Sequence, residues 1–579
     1  MNPLKWWQKA VFYQIYPRSF ADGNGDGIGD FVGMTARLDY LQDLGIDAIW
    51  LSPHYPSPFL DCGYDISDYC NVAPEYGTLE EFTAFLNGAY ARGLRVILDL
   101  VLNHTSDQHP WFVESRSNRT NPRRDWYIWR DGKNGGPPNN WASIFGGSSW
   151  ELDPATGQYY YHAFLKEQPD LNWRNPQVKQ GMWEAVRFWL DLGVDGFRLD
   201  AVAVLLEHPD LPDHTLALSA DDFTNANLLD REKYDQLMQY QIQQPGIHEL
   251  LKELRALVNE YPGDRVLVGE DELPAYHGSG DDELDLVFNF PLLRTPRITP
   301  AHVRANQAQR LAELPPGAWP CNTLGNHDTP RTWSRYGDGA HNDLLARLHL
   351  ALLLTLKGTP FLFNGEEIGM SDLELTALDQ LRDTMVIHRY HNMTQKLHVP
   401  TELARLEALA DTRDRCRSPF QWNGEPNSGF SPPGVQTWLP VNANYQAGVN
   451  AAEEEADSGS LLNFYRRLLH LRRAAPALMG GDYQILEAQN EDCLAFQRSE
   501  GETGQTCLVA LNFSERKQVA HLGWRQGQAR ILFSSQERVG QVFSLESLEL
   551  GPFEVFIAEL SKPVRSKIEE NRLQGFLSR

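Results

Sequence analysis

Residues 181–202 read GMWEAVRFWLDLGVDGFRLDAV, and two periodicities meet inside this stretch. Met182, Val186, Trp189 and Leu190 fall at i, i+4, i+7 and i+8, a single apolar stripe that predicts an amphipathic helix. Beyond Gly193 the pattern becomes a short run of branched and aromatic residues, GFRLDAV (196–202), which predicts a strand. The same alternation recurs on both sides. VFYQIY (11–16), AIWLSP (48–53), RVILDLVLNH (95–104), RVLVGE (265–270), LDLVFNF (284–290), CNTLGNHD (321–328) and TPFLFNGEE (359–367) bring the strands to eight. Helical patterns such as TARLDYLQDLG and TLEEFTAFLNGAYARG lie between most of them. Near-continuous apolar strands separated by amphipathic helices imply a parallel sheet covered by helices, and eight such units predict an α/β fold, a closed (β/α)8 TIM barrel. A doubly wound open sheet competes, although no strand is followed by the GxGxxG turn of a dinucleotide fold.

Two stretches break the rhythm. Residues 104–174 are dense in Trp, Tyr, Asn, Pro and Gly and too long for a plain connection, so they predict a small domain inserted after the third strand. Residues 371–440 read as polar helices ending in RCRSPFQW, a second insertion able to wall the same face. The barrel domain is then expected over 1–103 and 175–480, followed by short alternating strands such as CLAFQR, TCLVALNF and EVFIAEL. Those predict an all-β C-terminal domain, a sandwich, over 481–579.

A chain of 579 residues exceeds one hydrophobic core, and 42% hydrophobic residues allow sizeable ones. The formal net charge of −25 repels phosphate backbones and anionic lipid, which argues against nucleic acid or membrane partners and for a small neutral substrate. Without a leader-like N-terminus or a long apolar run, the expectation is a cytoplasmic protein, monomer or homodimer. Six scattered cysteines lack the CxxC spacing of zinc sites and are expected as free thiols.

Ionisable residues gather at the predicted C-terminal ends of the strands: His104, Asp200, Glu270 and Asp328. A barrel brings those ends to one face, where active sites are built. Any one of them could merely cap a helix; four at strand ends are harder to dismiss. Arg198 and Asp200, two apart on a strand, share a face, so the guanidinium is expected to hold the aspartate ionised with a low pKa. Alone, such a pair is more often an internal salt bridge. Glu270 follows an apolar run, so burial and a neighbouring charge are expected to raise its pKa, as a proton donor requires. Asp328 supplies a third carboxylate, and His104 and His327 can donate to sugar hydroxyls. With no GxSxG elbow, P-loop or HExxH helix, three carboxylates point to glycosyl transfer through an oxocarbenium-like transition state.

In WWQKAVFYQIYPRSFADGNGDGIGDFVG, LDLVLNH, GVDGFRLDAV, LVGE, LGNHD and RSPFQW, the chain resembles the α-amylase superfamily (glycoside hydrolase family 13), and within it the α-glucosidase and oligo-1,6-glucosidase branch. The resemblance implies a retaining double displacement with Asp200 as nucleophile, Glu270 as general acid and base, and Asp328 binding sugar hydroxyls. It further implies that Asp61, Tyr64, His104, Arg198, His327 and Arg417 contact the terminal glucose, Asp61 and Arg417 closing the non-reducing end for exo action on short oligosaccharides or disaccharides. Phe145 and Phe164 are weighed as sugar-facing surfaces against simple packing. Ala201, after the nucleophile, stands where oligo-1,6-glucosidases of the branch typically carry Val, which favours α-1,4 bonds or sucrose over α-1,6. A transglucosidase, sucrose isomerase or trehalose synthase using the same glucosyl-enzyme intermediate is the alternative, and a silent binding subunit a further one. No organic cofactor is expected.

The stretch DGNGDGIGD (22–30) offers oxygen ligands at EF-hand spacing from Asp22, Asn24, Asp26 and the Ile28 carbonyl. Position 12 of such a loop is Gly33 rather than Glu, and a strand precedes it, so a calcium sensor is excluded. A structural Ca2+ held by Asp22, Asn24, Asp26, Ile28 and Asp30 is expected, in keeping with the resemblance; a metal-free turn held by Asx hydrogen bonds is the competing reading.

Overall fold

The computed structural model describes residues 3–216, 231–486, 490–522, 527–536 and 538–561. The end of the expected C-terminal domain, 562–579, lies outside the described residues.

Eight strands form one parallel sheet: β1 (Phe12–Ile15), β2 (Ala48–Leu51), β3 (Arg95–Val101), β4 (Gly196–Asp200), β5 (Val266–Gly269), β6 (Leu286–Val287), β7 (Cys321–Thr323) and β8 (Thr359–Phe363). They pair in chain order, with β8 returning to β1. A parallel bridge between Phe288 and Cys321 links β6 to β7 and completes the ring, so the sheet is a nearly closed barrel rather than the open doubly wound alternative.

Strand parity sorts the side chains. Phe12, Ala48, Trp50, Ile97, Val266, Val268, Leu286, Phe288, Cys321 and Phe361 form one core cluster within the ring. Alternate residues such as Tyr13, Ile49, Leu98, Phe197, Leu199 and Leu267 join the larger core that faces the helices. Two residues further along four of the strands the inward positions turn polar: Gln14 after Phe12, Asp99 after Ile97, Arg198 after Gly196 and Glu270 after Val268. An apolar floor therefore carries a polar ceiling at the C-terminal ends.

The helix predicted around Trp189 spans Pro176–Leu192. Asn175 caps it and accepts from the Gln177 amide, and Gly193 ends it at φ 108. Its buried residues include Met182, Val186, Trp189 and Leu190, the stripe read from the sequence.

Between β3 and β4, three short strands (Trp129–Asp131, Trp150–Asp153 and Gln158–Tyr161) make an antiparallel sheet. A bridge between His104 and Asp170 ties the two ends of this excursion together. After β8, helices Thr384–Gln395 and Thr401–Asp411 form a hairpin whose apolar side packs against Phe145 of that excursion. Both departures from the barrel rhythm therefore meet over the C-terminal face. Downstream lie a six-stranded antiparallel sheet and a two-stranded one, sharing a core of residues such as Leu508, Leu548 and Phe556.

β4 and β5 approach closely enough that a Cβ on Gly196 (φ 147) would sit 2.0 Å from the Val266 carbonyl oxygen. Relief requires those strands to part, and both carry site residues. Gly196→Ala is expected to cost about 3 kcal/mol or more, read as a fall in thermal midpoint, with loss of activity in the molecules that still fold.

Candidate active site

The polar ceiling centres on Arg198, whose side chain is 1% exposed. Register places Asp99 beside Arg198 and Val101 beside Asp200. The guanidinium donates through Nη1 to Asp99 Oδ1 (2.7 Å) and Asp200 Oδ1 (2.8 Å), and its Nη2 lies 2.8 Å from Glu270 Oε2. Glu270 extends the ladder by donating its amide to the Leu199 carbonyl, and its Oε2 accepts from the Ala201 amide at 2.9 Å. Ala201 reaches that carboxyl from a left-handed conformation, φ 46 and ψ 49. Asp200, Glu270 and Asp328 keep 12, 24 and 30% of their side-chain surface open, whereas Asp99 keeps none. Three carboxylates therefore face the cavity while Asp99 backs the arginine from below.

Asp328 follows β7 on a turn in which its amide donates to Asn326 Oδ1. Its Oδ1 accepts from Arg417 Nη2 (2.6 Å) and Arg413 Nη1 (3.3 Å), and its Oδ2 lies 3.2 Å from His327 Nε2. The Tyr64 ring stacks on His327 with centroids 5.4 Å apart, and its hydroxyl contacts His327 Nε2 (2.7 Å) and Asp99 Oδ2 (3.0 Å). Asp61 accepts from Arg413 Nη2 at 2.9 Å and from Gln168 Nε2 at 3.0 Å. Gln168 also lies 2.9 Å from His104 Nε2. Phe164 packs edge-on to His104, Phe145 lies against Phe164, and the Arg413 guanidinium stands 5.7 Å from the Phe145 ring. Every sugar-site residue read from the sequence thus belongs to one connected cluster.

One expectation changes, and one arginine joins the set. Arg413, four residues before Arg417, is the arginine that reaches Asp61. Arg417 is fully buried behind Asp328 and donates through Nε to the His327 carbonyl. The sequence predicts a low pKa for Asp200, yet burial raises it to about 6 against the pull of Arg198, because one guanidinium is shared among three carboxylates. Burial likewise pushes Glu270 to about 8, opposed by Arg198 and reinforced by Asp200 and Asp328, in the expected direction.

Asp328 goes the other way. Burial alone would raise it, but His327, Arg417 and Arg413 hold it well below the usual carboxylate range. Burial keeps His327 neutral, pushed down to about 3, so the charges responsible are the two guanidiniums.

Asp99, Gln168, Arg413 and Asp383 escaped the sequence reading. Asp99 lies inside an apolar strand run, and Gln168 carries no charge or motif that sets it apart. Arg413 and Asp383 sit in the helical insertion, where a charged residue reads as solvated surface. Asp383 is fully buried and pairs with Arg413 at 2.8 Å, anchoring it from behind.

In the 22–30 loop, Asp22 accepts from the Gly25 and Gly27 amides, Asn24 from Asp26, and Asp26 from Ile28. Asp30 accepts from Gly23, Asn24 and Gly33, the last capping helix Phe31–Ala36. The loop clips a distant segment in place, Asp22 N–H donating to the Phe430 carbonyl and Trp438 N–H to that of Gly27. Among the described residues, no group of three or more His, Cys, Asp or Glu is placed to hold a metal. The side-chain oxygens of Asp22, Asn24, Asp26 and Asp30 each accept at least one hydrogen bond from within the loop or the helix it caps, and oxygen is the ligand type a hard cation prefers. All six cysteines are free thiols, and no described helix is long and apolar enough to cross a membrane.

A barrel with paired carboxylates at adjacent strand ends is an arrangement that glycoside hydrolysis can use. The α-amylase catalytic-domain model matches residues 14–481. An oligo-1,6-glucosidase of Parageobacillus thermoglucosidasius is 37% identical over 583 residues, covering 96% of this chain and 99% of that protein. A probable α-glucosidase of Rhizobium meliloti is 41% identical over 516 residues, covering 88% and 89%. Among solved structures, the trehalulose synthase MutB from Pseudomonas mesoacidophila MX-45 superposes with a TM-score of 0.87 at 39% identity, over 97% of this chain and 100% of that one. The chain belongs to the α-amylase family, in its α-glucosidase and oligo-1,6-glucosidase branch.

Arg413→Ala would strand the buried carboxylates of Asp383 and Asp61, a change expected to cost about 3 kcal/mol at neutral pH. Burial would raise the Asp383 carboxyl and Arg413 holds it below its ordinary value, so without the guanidinium that carboxyl takes up a proton as pH falls and relieves the stranded charge. The deficit in thermal midpoint against wild type should therefore be largest near pH 7 and shrink toward pH 4.

Proposed function

We propose that this protein is a retaining, exo-acting α-glucosidase that releases terminal α-linked glucose from short oligosaccharides and disaccharides. The observation that carries the reading is Arg198, whose two terminal nitrogens hold the open carboxyls of Asp200 and Glu270 together. Retention needs such groups about 5–5.5 Å apart, since one must attack the anomeric carbon while the other serves the leaving oxygen. With Oε2 of Glu270 occupied by Arg198 and Ala201, the proton belongs on Oε1. Asp200 attacks the anomeric carbon as Glu270 passes that proton to the glycosidic oxygen, giving a glucosyl-enzyme ester. Glu270 then takes a proton from water, and attack on the opposite face returns glucose in the α configuration.

Asp328 and His327 hold the glucose hydroxyls. Asp61 and Arg413, with Gln168 and His104 behind them, close the non-reducing end and confine the enzyme to terminal residues. Phe145 and Phe164 line the approach beside them. Ala201, smaller than Val, favours α-1,4 bonds. The likeness to a trehalulose synthase supports a second reading, transfer of the same glucosyl group to a sugar hydroxyl in place of water. Free cysteines and the acidic surface support a cytoplasmic location.

A Ca2+ ion held by Asp22, Asn24, Asp26, the Ile28 carbonyl and Asp30 would supply charge neutralisation to the loop and take no part in the reaction. Added Ca2+ should raise the thermal midpoint of chelator-treated protein, and Asp26→Ala should abolish that rise while retaining turnover.

Asp200→Asn and Glu270→Gln should each lower kcat by about 1,000-fold or more. Proton NMR should detect α-glucose as the first anomer, and β-glucose would overturn the mechanism. Products from maltose, isomaltose, sucrose and trehalose separate hydrolysis from transfer. Activity should fall below about pH 6 as Asp200 gains a proton and above about pH 8 as Glu270 loses one.

A further inference from the structure

Gln14 is the polar member of the VFYQIY strand, 1% exposed, and points into the barrel below the sugar site. Its amide Nε2 lies 2.9 Å from Ser52 Oγ and 2.6 Å from His327 Nδ1. The opposite edge of that imidazole, Nε2, faces Asp328 Oδ2 at 3.2 Å and the Tyr64 hydroxyl at 2.7 Å. A neutral ring has one proton to place. An ionised carboxylate cannot sit against a bare nitrogen lone pair, so the proton belongs on Nε2, which lets the Tyr64 hydroxyl accept from it and donate to Asp99. Nδ1 is left as an acceptor that needs a donor, and the Gln14 amide is the group placed to give one.

We propose that Gln14 fixes His327 in the Nε2–H tautomer and so acts as a positioning residue for Asp328 and the glucose hydroxyls it binds. The inference rests on the reading of His327 and Asp328 as glucose-binding groups and extends it to a residue at the opposite edge of that imidazole. The groups around the ring agree. Burial and the guanidiniums of Arg198 from β4 and of Arg413 and Arg417 from the segment after the helical hairpin all disfavour an imidazolium, against the pull of Asp328. The Tyr16 ring stacks at 5.9 Å and adds no charge, while Cys416 Sγ and Arg417 Nε hold the His327 carbonyl.

The substitutions Gln14→Glu and Gln14→Met separate tautomer control from packing. A glutamate only accepts, so it draws the proton to Nδ1 and turns a lone pair toward Asp328. It also favours the doubly protonated ring, which donates from both nitrogens and restores the contact in acid. Relative to wild type at each pH, kcat/KM of Gln14→Glu should be down about 100-fold at pH 7.5 and only about 10-fold at pH 5.5. Gln14→Met removes the donor without adding charge and should lose about 10-fold at every pH. Glucose binding to Asp200→Asn protein, measured by calorimetry with and without Gln14→Glu, should weaken in the same pH-dependent way.

A Gln14→Glu deficit independent of pH, or wild-type kcat/KM in either variant, would overturn the proposal. If glutamate at 14 prevents folding, the imidazole 15N shifts of His327 in the methionine variant decide it: a ring that stays wholly in the Nε2–H form refutes tautomer control, and a mixture of tautomers supports it. An inactive Asp200→Asn together with a pH-independent Gln14→Glu deficit would sink this inference and leave the proposed function standing, whereas an active Asp200→Asn would sink the function reading itself.

Discussion

A fully buried guanidinium shared among three carboxylates is the constraint on which the site depends. Arg198 has no water to solvate it, so its charge must be met by Asp99, Asp200 and Glu270. Asp99 is buried and spends its interaction on structure, while the other two are only partly covered and keep a face toward the cavity. Sharing one cation leaves each carboxyl under-compensated, and burial then lifts Asp200 to about 6 and Glu270 to about 8. The two carboxyls are thereby driven to different values on either side of neutrality, the kind of separation that splits acid from base roles between paired carboxyls.

Asp328 shows the opposite solution in the same cavity. Two guanidiniums meet one carboxylate, and it stays ionised throughout the neutral range. Those arginines come from the chain beyond β8, and the insertions do more than wall the face. The hairpin after β8 delivers Arg413 to Asp61 and Asp328, and the excursion after β3 delivers Gln168 to Asp61 and His104. The barrel supplies the open carboxyls on rigid strand ends, and the excursions supply the groups that pair with Asp61.

Much of this was legible. Apolar strands alternating with striped helices predicted the barrel, and the residues at strand ends became the open carboxylates. Arg417, the arginine of RSPFQW, stands against Asp328, and a second arginine stands against Asp61. Two arginines four residues apart, Arg413 and Arg417, lie in one irregular segment, and nothing local to it says which one faces Asp61. The acidic 22–30 loop was legible as a structural clip, but its grip on Phe430 and Trp438, some 400 residues away, was not.

By itself the sequence determined which residues lie at strand ends and on which face, because period-2 parity and helical stripes are properties of a few consecutive residues. It also determined that the surface is acidic and unsuited to polyanions. Only the tertiary structure decided which charges share a partner and in which direction each carboxyl titrates. Those depend on burial and on contacts such as Asp61 with Arg413, separated by 352 positions, that no local pattern encodes.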